Sequence, residues 1–302
     1  MRITEALEGP EPVFSFEFFP PKTPEGLEQL FDTVETLRPL GPDYVSVTYG
    51  AGGATRDGTI EIANRIKSEH EIETMAHLSC VGETREGLTE ILDRFAAAGV
   101  ENVLALRGDP PRGETVFAAT DGGLTSAAEL TEFIASGWDF TVGGACFPEV
   151  HPEAASLDDD LTYLKTKVDA GASFLITQLF FDNEVYWSFV AAARDRGIDV
   201  PIIPGVIPIA SHAQVSRICS LCDAAIPAEL DEALSAMGGD LEAEALLGVA
   251  FASRQCEELL AGGAPGIQFY PLNRAPGTRA VLSALRASRP WERLRERVGG
   301  GP

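Results

Sequence analysis

Short apolar runs alternate with amphipathic stretches along most of the chain, and each such pair predicts a β-strand followed by an α-helix. The apolar runs predict strands at residues 13–19, 44–48, 74–80, 102–106, 140–146, 174–178, 201–206 and 266–270. The amphipathic stretches predict helices at residues 23–37, 55–69, 126–136, 157–170, 183–196, 211–222, 228–237, 241–260 and 279–285. A further helix is indicated by Leu88, Ile91, Leu92 and Phe95, which recur at the spacing of a core-facing helix.

Eight strand–helix units without a linker between them predict a single α/β domain, a (β/α)8 TIM barrel, because doubly wound sheets usually have fewer strands. The predicted domain covers residues 1–298, with a helical insertion after strand seven at 228–237 and a disordered tail at 299–302. The chain has neither a Gly-x-Gly-x-x-Gly turn between a strand and a helix nor a Walker A loop. A nucleotide cofactor would therefore be held by something other than a Rossmann turn.

One carboxylate stands out because it lies within an aromatic strand. Glu17 belongs to the run Phe-Ser-Phe-Glu-Phe-Phe-Pro-Pro at residues 14–21. Alternation puts Ser15, Glu17 and Phe19 on one face of the strand, and the two prolines place Glu17 near its C-terminal end. Burial among aromatic groups raises the pKa of a carboxyl group toward neutrality, as general-acid catalysis requires. The alternative is a Glu side chain that extends into solvent from the strand end.

Polar residues follow most of the predicted strands, at the end where TIM-barrel enzymes place their catalytic groups. In chain order they are Thr48, Tyr49, His77, Arg107, Gly108, Asp109, Glu149, His151, Gln178, Tyr270 and Arg274. Single members have structural explanations as well: His77 as a hydrogen-bonded core histidine, or Arg107 paired with Asp109. Their occurrence at one rim of a barrel favours a shared active site.

Composition and charge narrow the class of protein. The 302 residues are 45% hydrophobic, carry a net charge of −23 and include only four lysines. Because no basic patch is visible, nucleic acid and anionic membrane surfaces are not expected as partners. No apolar segment approaches the roughly 18 residues of a membrane span, and the first residues lack a signal-peptide core, so a cytoplasmic protein is expected.

The five cysteines are widely scattered, which favours a reducing cytosol over a disulfide framework. Cys219 and Cys222 match a redox or zinc half-motif on spacing, but no second cysteine pair accompanies them. We expect core cysteines on a helix, and no metal site.

Seven short motifs resemble those of 5,10-methylenetetrahydrofolate reductase in its short bacterial form, and they follow the order of that family. They are SFEFFPPK at 15–22, VSVTYG at 45–50, ALRGDP at 105–110, PEVHPEA at 148–154, KVDAGA at 167–172, ITQ at 176–178 with FFD at 180–182, and YPLNR at 270–274. The resemblance implies a (β/α)8 flavoprotein. In this family FAD takes hydride from NADH or NADPH and passes it to methylenetetrahydrofolate, giving 5-methyltetrahydrofolate.

The resemblance also implies roles for individual residues. Glu17 matches the general acid that protonates a nitrogen of the folate's five-membered ring, and Asp109 matches a carboxylate beside the flavin and the pterin that tunes the flavin potential. The matched flavin-binding positions are Thr48, Tyr49, Ala51, His77, Arg107, Gly108, Asp109, Ala127, Phe147, His151, Asp160 and Lys167. The matched substrate-binding positions are Glu17, Asp109, Gln178, Gln214, Tyr270 and Arg274. Barrels of this family tend to associate, so a homo-oligomer is one alternative beside a monomer.

The spacing of Asp160 and Lys167 supports their implied role independently. Seven residues are two helical turns, so both side chains lie on one helix face, roughly 10 Å apart along it. At that separation one can meet a ribose hydroxyl and the other a phosphate. The alternative is a pair of solvated charges on the outside of the helix.

Two positions depart from the family pattern. Ile218 stands where better-studied members carry an aromatic residue in contact with the shared nicotinamide and folate site, and Phe147 replaces a tyrosine. The loop at residues 110–124 aligns poorly, so Ala127 is the single position carried over from that region.

Three alternatives use a similar barrel. The first is direct hydride transfer from nicotinamide to folate without a flavin. The second is a methyltransferase that passes the methyl group of methyltetrahydrofolate to a corrinoid protein. The third is a subunit that receives its electrons from a partner protein.

Overall fold

The computed structural model describes residues 1–49, 53–109 and 117–292, and for residues 53–57 the backbone alone. Eight parallel strands pair in chain order and close into a barrel, with β1 hydrogen-bonded to both β2 and β8. The strands are β1 (Val13–Phe18), β2 (Tyr44–Val47), β3 (Glu73–Ser79), β4 (Asn102–Leu106), β5 (Thr141–Cys146), β6 (Phe174–Leu179), β7 (Ile202–Val206) and β8 (Gly266–Phe269). The predicted (β/α)8 TIM barrel is confirmed, and every strand begins and ends within one residue of its prediction.

The helices surround this barrel. They are α1 (Ile3–Leu7), α2 (Pro24–Leu37), α3 (Gly53–Glu69), α4 (Arg85–Ala97), α5 (Ala127–Gly137), α6 (Leu157–Asp169), α7 (Asn183–Asp195), α8 (His212–Cys222), α9 (Ala228–Ala236), α10 (Leu241–Ala261) and α11 (Pro276–Ser288), with a short 3-10 helix at Arg38–Leu40. Most of the long helices begin at a side chain that accepts a hydrogen bond from a backbone N–H of the first turn, which stabilises the helix start. These N-caps include Thr23, Thr84, Ser126, Ser156, Asp182, Ser211 and Asp240.

The main hydrophobic core lies between the barrel and its helices. Phe14, Phe16 and Phe18 are buried in it together with residues of the surrounding helices such as Leu30 and Leu92. Because side chains alternate along a strand, Ser15 and Glu17 of β1 point to the inside of the barrel. The alternation predicted for this strand is therefore confirmed.

A second layer of apolar side chains closes the N-terminal end of the barrel, which we call the barrel floor. It consists of Ile3, Val13, Tyr44, Met75, Leu104, Phe174, Ile176 and Ile203, packed on one another. Ile3 is fully buried and belongs to α1, which the sequence pattern did not predict because five residues are too short to show a helical period. The floor leaves the opposite end, where the strands finish, as the place for a site.

The helices of the C-terminal part follow the predicted order. The last helix contains the predicted segment 279–285 and begins at Pro276, because proline is tolerated at the first helical position. Three helices, α8, α9 and α10, connect β7 to β8. The predicted tail at 299–302 lies outside the described residues.

Candidate active site

A cavity of about 560 Å³ opens at the C-terminal ends of β4, β5 and β6. Nine of the residues predicted for the site line it: Arg107, Gly108, Asp109, Ala127, Phe147, His151, Asp160, Lys167 and Gln178. Further lining residues that the sequence did not single out include Glu153, Asp159 and Tyr163. The size is typical of a pocket for a small organic ligand or cofactor.

Two buried charges of α6 face this cavity. Asp160 and Lys167 are 7% and 5% exposed, so the alternative of two solvated charges on the outside of the helix is wrong. Asp160 accepts a hydrogen bond from the backbone N–H of His151 at 3.0 Å, and Lys167 donates to the backbone oxygen of Ala145 at 2.5 Å. Burial lowers the pKa of Lys167 and raises that of Asp160. The charges of Lys167 and Asp160 attract each other, and each raises or lowers the pKa of the other in the direction of its charged form. Together they give the cavity wall one cationic and one anionic group for a polar ligand.

Arg107 does not pair with Asp109, as one alternative had it. Its guanidinium group forms a two-pronged ion pair with Glu153, with 2.8 Å between Nη2 and Oε1, and it lies 4.9 Å from the centre of the Phe117 ring. This ion pair lowers the pKa of Glu153. The sequence did contain a signal for Glu153 as a residue of the site, since it belongs to the PEVHPEA motif at 148–154. Asp109 is exposed at the cavity wall.

Gly108 lets the chain turn sharply after β4. Its φ is +89°, a conformation that residues with a side chain rarely adopt, and an added Cβ would lie 2.5 Å from Cγ1 of Val81. A glycine is thus required where the backbone passes beneath the cavity.

Glu17 lies inside the barrel, beside the cavity rather than in its lining. Its side chain is 22% exposed, and burial raises its pKa to about 7. Hydrogen bonds with Gln268 and Ser46 oppose this rise. The direction of the predicted shift is confirmed, but the predicted cause is wrong: the phenylalanines of β1 point outward, and the interior of the barrel desolvates the carboxyl group instead.

His77 of β3 is the nearest ionisable neighbour of Glu17. Its Nε2 atom lies 3.6 Å from Oε2 of Glu17, and burial lowers the pKa of the imidazole to about 3. His77 is therefore neutral at physiological pH, and the two groups form no charged pair. Among the described residues, none hydrogen-bonds to this buried Nε2 atom. An orphaned polar atom at this depth fits a ligand that would complete its hydrogen bonds.

The remaining predicted residues lie around the rim. Thr48 and Tyr49 follow β2, and the Tyr49 hydroxyl donates to Glu83 at 2.9 Å. On the other side, the Tyr270 hydroxyl donates to the backbone oxygen of Thr177 at 2.7 Å, while Arg274 is exposed. The described structure does not place these residues in the lining of the cavity. Ala51 lies outside the described residues.

Gln214 and Ile218 lie on α8, after β7. Gln214 is in the first turn of the helix, where its backbone N–H donates to the N-cap Ser211. Ile218 packs at the edge of a small apolar cluster that includes Phe181, Val215 and Cys219. It contributes hydrophobic contact where the family pattern has an aromatic ring.

The cysteines take no part in this site as metal ligands or disulfides. Cys219 is buried and Cys222 half-buried, and burial raises the pKa of both thiols. In the part of the chain that the structure describes, no group of three or more His, Cys, Asp or Glu side chains could hold a metal ion. Among the described helices, none is long and apolar enough to cross a membrane.

The family model and the curated relatives that match this chain carry the same family description. A family model described as methylenetetrahydrofolate reductase matches residues 2–286. The 5,10-methylenetetrahydrofolate reductase of Escherichia coli is 37% identical over 271 residues, which cover 90% of each chain. Methylenetetrahydrofolate reductase (NADH) 1 of Arabidopsis thaliana is 38% identical over 311 residues and 97% of this chain, which spans about half (52%) of that relative's length.

A solved structure from Clostridium thermocellum, described as binding two copies of 5-methyl-5,6,7,8-tetrahydrofolic acid, has a TM-score of 0.63. It covers 96% of this chain and 99% of its own at 18% identity. At that identity the likeness shows the fold alone.

Proposed function

The chain belongs to the methylenetetrahydrofolate reductase family, and from this premise we propose that it reduces 5,10-methylenetetrahydrofolate to 5-methyltetrahydrofolate. NADH or NADPH supplies the hydride, with FAD as its carrier. Relatives named as NADH enzymes support a nicotinamide donor. The free cysteines fit a reducing cytoplasm, which we propose as its location.

Glu17 is the observation that carries the proposal. A carboxyl group with a pKa of about 7 is protonated in about half of the molecules at neutral pH, so it can act as a general acid there. We assign to it the proton that opens the five-membered ring of the folate at a nitrogen. Opening gives an iminium carbon that can accept hydride. His77, neutral at this pH, adds no charge beside the carboxylate that remains.

The cavity fits FAD by the chemistry of its lining. Lys167 and Arg107 provide positive charge for the diphosphate, Asp160 provides an acceptor for a ribose hydroxyl, and Gly108 allows close approach of the backbone. The remaining residues proposed to hold FAD are Thr48, Tyr49, Ala51, His77, Asp109, Ala127, Phe147 and His151. When bound, FAD supplies an acceptor and then a donor of hydride.

The residues proposed for the folate are Glu17, Asp109, Gln178, Gln214, Tyr270 and Arg274. Asp109 and Gln178 lie at the cavity, and carboxylate and amide groups can pair with the polar edge of a pterin. Gln214 belongs to α8, while Tyr270 and Arg274 follow β8, and Arg274 offers an exposed cation for the glutamate tail.

An absorption spectrum followed by anaerobic titration tests the proposal. We expect flavin bands that bleach with NADH or NADPH and recover when methylenetetrahydrofolate is added. A colourless protein that still reduces the folate would mean direct hydride transfer. Bound flavin that neither nicotinamide reduces would favour electron supply by a partner protein. Methyl transfer to a corrinoid protein without nicotinamide oxidation would favour the methyltransferase.

Glu17→Gln separates the two half-reactions. Because the general acid acts on the folate alone, the rate of folate reduction should fall about 10²- to 10⁴-fold while reduction of the flavin by nicotinamide stays nearly unchanged. Glu232→Gln, an exposed change on α9, is the matched control and should leave both rates as they were. An equal loss in both half-reactions, or no loss in either, would contradict the role of Glu17.

A further inference from the structure

Three polar side chains form a connected group in the interior of the barrel, directly beside Glu17. Ser15, Ser46 and Gln268 are each fully buried, on β1, β2 and β8. The strand register explains their proximity: Ser15 pairs with Gln268 across one strand boundary, and Glu17 pairs with Ser46 across the other. Paired residues of neighbouring parallel strands point to the same face of the sheet, here the inside of the barrel.

The hydrogen bonds within this group have a direction. The Ser15 hydroxyl donates to Oε1 of Gln268, and Nε2 of Gln268 donates to Oγ of Ser46 at 2.8 Å. The amide nitrogen of a glutamine carries two hydrogens, so one remains for Glu17. The Ser46 hydroxyl, which accepts from Gln268, keeps its own hydrogen for the same carboxyl group. The strand register places both side chains next to Glu17 inside the barrel, and both lower its pKa, as hydrogen-bond donors to the carboxyl group do.

We propose that Gln268 is a positioning residue for Glu17, holding the carboxyl group in one orientation by presenting a fixed N–H donor to it. The inference deepens the proposed function, because it rests on Glu17 as the general acid. Ser15 fixes which end of the amide faces Glu17, and Ser46 supplies the second donor. The two donors occupy lone pairs of the carboxyl group, so its proton is directed to the remaining positions.

Glutamine is the side chain that this arrangement requires. Its position must accept from Ser15 and donate to both Ser46 and Glu17, which takes one acceptor and two hydrogens on a single planar group. Methionine has a similar volume without either function, and glutamate has the acceptor without the donors. The two substitutions therefore remove the donors in different ways.

The other titratable groups around Glu17 do not change charge in the pH range of a test. His77 from β3 has a pKa of about 3, and Tyr44 from β2 and Tyr270 after β8 both have a pKa raised above that of an ordinary tyrosine. Between pH 5 and pH 9, Glu17 is therefore the group here whose protonation is measured.

Infrared difference spectroscopy of the protein without ligands tests the inference directly. The carbonyl band of protonated Glu17 is followed from pH 5 to pH 9 and is identified by its absence in Glu17→Gln. Donors stabilise the ionised form, so their loss should raise the pKa of Glu17 by about one to two units in Gln268→Met. In Gln268→Glu the two carboxyl groups share a proton, and the higher apparent pKa of the pair should also exceed that of the native protein.

Gln255→Met provides the matched control. Gln255 is also buried, but it lies on α10, outside the barrel and away from Glu17. Its Nε2 atom donates to the backbone oxygen of Phe180 at 2.8 Å. The substitution Gln255→Met should leave the pKa of Glu17 unchanged. The inference is overturned if the pKa stays the same in folded Gln268→Met, or if Gln255→Met shifts it equally. Should Gln268→Met not fold, Gln268→Asn takes its place, because its shorter side chain withdraws the N–H donor from Glu17 without adding a charge. An unchanged pKa of Glu17 in that variant overturns the inference.

A kinetic measurement separates this inference from the proposed function. In Gln268→Met the alkaline limb of folate reduction should move to higher pH with the pKa, and the limiting rate should fall about 10- to 100-fold from misplacement of the acid. Reduction by nicotinamide should be unaffected. If the native protein reduces no folate, the proposed function fails, while the infrared titration still decides whether Gln268 positions Glu17.

Discussion

The raised pKa of Glu17 has a consequence for stability that needs no substrate to measure. The folded protein holds a proton on this carboxyl group up to about pH 7, whereas the unfolded chain releases it near pH 4.5. Between these values the folded state binds more protons, so the free energy of unfolding must decrease as the pH rises. Above pH 7 both states are ionised and the whole contribution has been lost.

The size of the effect follows from the two pKa values. A rise of the pKa from 4.5 to about 7, at about 1.4 kcal/mol per pKa unit, corresponds to about 3 kcal/mol, most of which falls between pH 5 and pH 8. With the side chain 22% exposed, most of this contribution should be measurable. The glutamine of Glu17→Gln is neutral in the folded and the unfolded state, so its stability does not change with pH through this group. Relative to the native protein, the variant should therefore gain about 2–3 kcal/mol of stability between pH 5 and pH 8.

Equilibrium urea unfolding at several pH values, followed by tryptophan fluorescence, measures the difference. The exposed substitution Glu232→Gln removes one carboxyl group at the surface and should run parallel to the native protein. If the curve of Glu17→Gln is also parallel to it, Glu17 does not carry a raised pKa in the folded state. A carboxyl group ionised in this way could not serve as a general acid at neutral pH.

Two further changes test other parts of the structure. His77→Gln should gain about 2 kcal/mol of stability relative to the native protein as the pH falls from 6.5 to 5, because the pKa of His77 is lowered from 6.5 to about 3 in the folded protein, while Glu17 contributes equally to both proteins. Parallel urea curves for the two proteins would contradict this. Gly143→Ala should cost about 1–3 kcal/mol, since the new Cβ would lie 2.5 Å from the Phe174 ring, whereas Gly137→Ala meets nothing within 4 Å and is the control; equal unfolding midpoints for the two would contradict the packing argument.

The strands were predictable because each is a buried apolar run bounded by turn residues, and the barrel followed from their number. Asp160 and Lys167 were predictable on one helix face because helical spacing is local. The environment of Glu17 was not predictable from the sequence. Its neighbours along the chain are phenylalanines, but its side chain faces residues of other strands. Gln268 reaches Glu17 through the closure of β8 onto β1, a contact that no local pattern reveals.

Side-chain pairing across loops was equally hidden. One alternative paired Arg107 with Asp109 on the same turn, yet the partner of Arg107 is Glu153, which follows a different strand. Which carboxylate pairs with Arg107 depends on how the loops after β4 and β5 lie relative to each other, and a local sequence pattern does not show this. The short helix α1, which carries Ile3, was not predicted for another reason. Its five residues are too few to show a helical period, and Ile3 packs into the barrel floor.

The barrel floor separates Glu17 from the N-terminal end of the barrel. Eight buried apolar side chains from Ile3 to Ile203 pack on one another below Ser15. If Glu17 is the general acid that we propose, the proton that it gives away has to be replaced from the C-terminal end of the barrel, where the cavity opens. Reprotonation of Glu17 and release of the product would then use the same opening.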